Sequence, residues 1–188
     1  MGLWIAIGVA VVALLYLVTV YNRLVRLRAL VREAWSGITV QLRRRADLVP
    51  NLVATVEGYA THEREVLDQV TAHRTDAVAA KGVDATAKAD AAFTGMIGKL
   101  IAVAEAYPDL KADANFRQLQ DELSDIEEQL AGARRYYNAT VRDLNTQVQS
   151  FPDILVAGPM GFKAEEPYAD DVAALQTAPQ VRFGTPKG

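Results

Sequence analysis

From Leu3 to Tyr21 the chain carries no charged side chain, and the run LWIAIGVAVVALLYLVTVY spans about 28 Å as a helix, close to the roughly 30 Å hydrocarbon core of a bilayer. Arg23, Arg26, Arg28 and Arg32 follow at once and form a basic flank. A secretory signal peptide has the opposite order, with cations ahead of a shorter apolar core. Residues 1–22 therefore read as a retained transmembrane anchor, and the lipid bilayer is the first partner implied.

After the anchor, about 165 residues remain, enough for one compact domain. Charge is divided. Between Asn22 and Ala46 seven arginines face the single acid Glu33, whereas the whole chain sums to −3, so the body from Asp47 to Gly188 carries about −9. An acidic body is a poor partner for nucleic acid. The arginines read instead as headgroup or topology chemistry, and by the positive-inside bias they place the body in the cytoplasm. The absence of cysteine excludes disulfides, a thiolate nucleophile and a lipidated amino terminus.

Apolar positions then recur every three or four residues. Leu24, Leu27, Val31, Trp35, Ile38 and Leu42 continue one stripe out of the membrane, so anchor and first soluble helix are expected to form one rod. Asp47 to Pro50 is expected to end it, because proline lacks an N–H and restricts Val49. A second stripe runs through Leu52, Val56, Tyr59, Val66 and Val70. Residues 79–92, low in complexity and holding Gly82, read as a surface turn. A third helix is marked by Phe93, Met96, Ile97, Leu100, Ile101 and Ala104. The fourth runs from Phe116 through Leu119, Leu123, Ile126, Leu130, Ala133 and Tyr137 to Val148 in a three–four alternation. The expected fold is all-α: a transmembrane helix running into an antiparallel up-down bundle of about four helices over 23–151. An irregular Pro/Gly-rich tail follows over 152–188. Phe162, Tyr168, Val181 and Phe183 are apolar beads on that tail, expected to dock on a surface, a neighbouring copy foremost.

Catalytic chemistry is nearly absent. His62-Glu63 lacks a second histidine four residues on, and His73 lies about 16 Å further along a helix. Gly95 and Gly98 before Lys99 are too close together for a phosphate loop. Ser36, Ser124 and Ser150 occupy no nucleophile context. Glu122, Asp125, Glu127 and Glu128 spread round a solvated arc. No enzyme activity, metal or cofactor is expected. A polar set in apolar surroundings stands out: Arg44, Arg45, Asp47 and Asn51 at the proline, and Glu105 and Asn115 at Tyr107-Pro108. Two readings are open for it. One is helix capping and bundle-end locking, with Asp47 capping a helix that opens at Pro50 and Asp113 capping the one after. The other is a ligand or partner site.

Tyr21-Asn22-Arg23-Leu24-Val25, Ala34-Trp35-Ser36, Val40-Gln41-Leu42, Arg44 through Val53, Gly58-Tyr59-Ala60, His62-Glu63, Ala102 through Lys111, Asn115-Phe116, Leu119-Gln120, Glu122-Leu123-Ser124 and Tyr137-Asn138 together resemble the characteristic segments of the LemA family. The match runs in order to about Phe162. The resemblance implies a bacterial membrane protein with an amino-terminal anchor and an antiparallel helical bundle, and no settled activity. A relative is associated with forming magnetosome membranes, which favours membrane organisation. Some members end the apolar start in a lipidated cysteine, with the body outside the cytoplasm. Here Thr19-Val20-Tyr21-Asn22 stands at that place.

Two functions follow as expectations. The first is a homo-oligomeric scaffold in the bacterial inner membrane, helped by Gly2, Ala6 and Ala10 at four-residue spacing and by the tail. The second is a tethered adaptor for a membrane protease or envelope-stress partner.

Overall fold

The computed structural model describes residues 1–60 and 62–169, and within them every regular element is a helix. Helix α1, Gly2–Glu57, is 56 residues long and unbroken, so the anchor and the first soluble helix are one rod as expected. Its amino-terminal part is long and apolar enough to cross a membrane. The remaining helices are α2 (Arg64–Ala79), α3 (Val83–Glu105), α4 (Pro108–Ala112), α5 (Ala114–Gln149) and α6 (Ile154–Ala157).

Pro50 does not end α1. A proline inside a helix costs about 3 kcal/mol, but the turns around it bury Leu48, Val49, Leu52 and Val56, each worth roughly 1.5–3 kcal/mol. Burial wins. The Ala46 carbonyl, left without its usual donor by the missing N–H of Pro50, accepts a hydrogen bond from Arg74 Nε on α2 at 2.5 Å. Asp47 is therefore no cap. It lies exposed in mid-helix, 3.3 Å from Arg43 and 3.8 Å from Arg74. The chain turns instead just after Glu57, where the amides of Tyr59 and Ala60 donate to the Val56 carbonyl.

The expected turn over 79–92 shrinks to Ala80–Gly82, with Gly82 at φ +84°. Residues 83–92 belong to α3 and bury Thr86, Ala87 and Asp90. Asp113 does cap α5: its carboxylate accepts the Phe116 N–H at 2.9 Å, which lowers its pKa.

Helix α5 packs along α1, and α2 packs on α3 and α1. The turn after α1 shares an end with the Tyr107–Asp113 turn, where Tyr107 donates to Glu63 at 2.6 Å and Tyr59 to Asp113 at 3.3 Å. The opposite end of α5 returns to the anchor, so α5 runs antiparallel to α1. Buried apolar side chains form two clusters. One, distal to the anchor, includes Val49, Leu52, Phe93, Leu100, Phe116 and Ile126. The other, proximal, includes Leu24, Ile38, Leu130, Tyr137, Phe162 and Tyr168.

Candidate functional site

Each long helix passes from one cluster to the other through a charged residue. On α1, Arg45 stands between Ile38 and Leu48; on α3, Asp90 between Ala87 and Phe93; on α5, Glu127 between Ile126 and Leu130. These side chains meet. Asp90, 2% exposed, accepts from Arg45, from Arg134 and from the Tyr168 hydroxyl, the last at 2.5 Å. Arg45, fully buried, also reaches Glu127 at 2.7 Å and Thr94 at 2.9 Å. Each guanidinium lies over a ring: Arg45 over Phe93 at 5.1 Å and Arg134 over Tyr168 at 5.2 Å. Two cations thus face two carboxylates in a layer between the apolar clusters, which is how buried charge is tolerated.

The tail closes this layer. Asn138 accepts the Tyr168 N–H at 2.8 Å and donates to its carbonyl at 3.1 Å; Asn145 makes the same pair of bonds to Glu165, both at 2.8 Å. Seven residues of helix span about 10 Å, as do three residues of extended chain, so two asparagines two turns apart can hold every third tail residue. Tyr137 donates to the Glu166 carbonyl at 2.9 Å, and Trp35 packs against Tyr137 and Tyr168 with ring centroids 5.5 and 6.3 Å away. Burial, with the nearby Glu165 and Glu166 carboxylates, pushes the Tyr137 hydroxyl up to about 12. Burial and the bond to Asp90 push Tyr168 up as well.

A cavity of about 320 Å³ opens beside the layer, lined by Trp35, Leu42, Arg45, Val78, Asp90 and Phe93 among others. Its wall is mostly apolar, with Arg45 and Asp90 already bonded to protein groups.

The polar set expected at the helix breaks is dispersed. Arg45 is the buried centre. Arg44 is exposed and bonds Gln129 at 3.0 Å and Gln41 at 3.3 Å. Asp47 and Asn51 line a shallow exposed groove with Glu122 and Asp125, and Glu105 and Asn115 are exposed near the distal turn. Of the basic flank, Arg23, Arg26 and Arg32 are exposed, whereas Arg28 lies over the Phe162 ring at 4.6 Å. The expectation that Phe162 and Tyr168 wait for a neighbouring copy is corrected: they are 4% and 3% exposed, packed on their own helices. Val181 and Phe183 lie outside the described residues. Asp90, Arg134 and Asn145 were not singled out by sequence, and Asn138 only as part of the Tyr137-Asn138 segment. The available signals were a carboxylate at helical spacing from Phe93 and two asparagines seven apart inside a helix.

The LemA family model matches residues 34–183, which include this layer and its tail clamp. Magnetosome protein MamQ 2 of Paramagnetospirillum magneticum is 25% identical over 179 residues, covering 81% of this chain and 66% of that protein. Magnetosome protein MamQ of Magnetospirillum gryphiswaldense is 24% identical over 172 residues, covering 78% and 63%. Protein LemA of Metamycoplasma hominis is 27% identical over 132 residues, covering 69% and 60%. The chain thus spans 60–66% of the length of these curated relatives.

Proposed function

This chain belongs to the LemA family, and from that premise we propose that it is a non-catalytic, membrane-anchored helical scaffold that self-associates to organise or shape the bacterial inner membrane. The observation that carries this reading is the single helix α1. Its apolar window is only 6% buried by protein, while its distal part is packed into the helical body, so anchor and body move as one piece. The names of the MamQ relatives tie them to the magnetosome, which supports a role in membrane organisation. The charges of the Arg45–Asp90 layer neutralise one another, which suits a structural role more than a reactive one.

Self-association rests on the anchor, where Gly2 and Ala6 offer close approach to a second helix. Full-length protein in nanodiscs should run as an oligomer, and deletion of Met1 to Tyr21 should give a monomeric body. A monomeric full-length species would remove the scaffold and leave the tethered adaptor, which the cavity beside Trp35 favours.

The arginines after Tyr21 favour a cytoplasmic body. Lys81 sits exposed in the turn between α2 and α3. A Lys81→Cys variant should therefore resist an impermeant thiol reagent in intact cells, and rapid labelling there would put the body on the other side.

A further inference from the structure

We propose that residues 151–160 form a second membrane contact, seated in the headgroup–acyl boundary of the leaflet from which α1 emerges. The proposal rests on the reading of α1 as a bilayer-spanning helix. The segment FPDILVAGPM holds one charge, Asp153, and that side chain is buried and accepts a hydrogen bond from the Tyr16 hydroxyl. Tyr16 lies six residues inside Asn22, about 9 Å along the helix toward the middle of the membrane. The segment is thereby fixed against the anchor at a depth where water gives way to lipid. Tyr21 reinforces the depth, meeting Phe162 edge-on with ring centroids 5.8 Å apart.

The two faces of the segment differ. Val156 and Ala157 pack inward in the cluster that holds Val20 and Leu24. Phe151, Ile154, Leu155 and Met160 point outward, 81%, 48%, 67% and 42% exposed. Clustered exposed side chains of this size mark a surface that is covered in use. Here the patch adjoins the exposed Tyr16 and Leu17 of the anchor, so the bilayer that covers one reaches the other. The backbone suits such a place. The amides of residues 154–157 and 160–162 donate to carbonyls between Ser150 and Gly158, and Pro152 and Pro159 have none to satisfy. Lys163 follows three residues after Met160, where a cation meets lipid phosphate.

The chain has no cysteine, so single-cysteine variants carry an environment-sensitive fluorophore cleanly. Full-length Phe151→Cys, Leu155→Cys, Val11→Cys and Tyr136→Cys are reconstituted in phosphatidylcholine–phosphatidylglycerol vesicles, with nitroxide placed at shallow or deep positions of the lipid chains. Interfacial segments sit about 5–10 Å below the headgroups, so labels at 151 and 155 should be quenched at least about twofold by shallow nitroxide. The label at 11 should be quenched by deep nitroxide, and the label at 136 by neither. If 11 is quenched while 151 and 155 behave like 136, the second contact is overturned and the anchor stands. Blue-shifted but unquenched labels at 151 and 155 mean that protein, such as a second copy, covers the patch, which also overturns it. No quenching at 11 overturns the anchor and the contact together.

Discussion

Replacing Asp90 by alanine lowers the stability of the folded protein by about 3–5 kcal/mol, the cost of stranding a buried cation. The cause is specific. Arg45 is fully buried and keeps only Glu127, itself partly exposed, as its counter-charge, while Arg134 and the Tyr168 hydroxyl lose their common acceptor. Asp90→Asn keeps the volume but not the charge and should fall in the same direction. Asp84→Ala is the comparison: that carboxylate pairs with Lys88 at 2.8 Å on an exposed helix face and contributes at most about 1 kcal/mol. Denaturant unfolding followed by circular dichroism measures all three. Losing Asp90 should also loosen the tail and speed proteolysis after Lys163. Equal losses for Asp90→Ala and Asp84→Ala would show that the layer between the clusters does not hold the helices together.

The second expected effect belongs to the proline. Arg74→Ala should lower stability by about 1–2 kcal/mol, because it strands the Ala46 carbonyl that Pro50 cannot serve. In a Pro50→Ala background the restored N–H of residue 50 can take that carbonyl, and the cost of Arg74→Ala should drop below about 0.5 kcal/mol. The longer contact between Arg74 and Asp47 persists in both backgrounds and cancels from the comparison. The same cost in both would mean that Arg74 acts through its charge or packing and not as a stand-in donor.

Both of these sites escaped sequence reasoning, which succeeded elsewhere in the chain. Helix α5 was legible because its stripe from Phe116 to Val148 keeps one spacing throughout, and the rod was legible because Leu24 to Leu42 continues the anchor without interruption. Pro50 misled because local rules weigh a missing N–H but cannot see a guanidinium arriving from α2. Residues 83–92 were read as surface because alanine-rich stretches carry little apolar contrast. Yet Thr86, Asp90, Phe93 and Ile97 share one spacing and are all buried, and one of them happens to be charged. The aromatic beads Phe162 and Tyr168 were rightly expected to dock. Their own bundle was the less favoured surface, since nothing local announces that Asn138 and Asn145 are aimed at a backbone two turns apart.

The pairing of the first helix with the last described residues also sets an order of events. Synthesis releases the amino terminus first, so the anchor can enter the bilayer while the partners of Leu24, Ile38 and Arg45 are still unmade. Tyr168 emerges about 110 residues after Glu57, a delay of roughly 5–20 s at ordinary elongation rates. Within that interval the partners arrive in turn: Asp90 can reach Arg45 first, Glu127 and Tyr137 follow, and the cover from Phe162 and Tyr168 comes after them. A nascent chain of this kind stays incompletely covered until Phe162 and Tyr168 have emerged, and their docking ends the exposure.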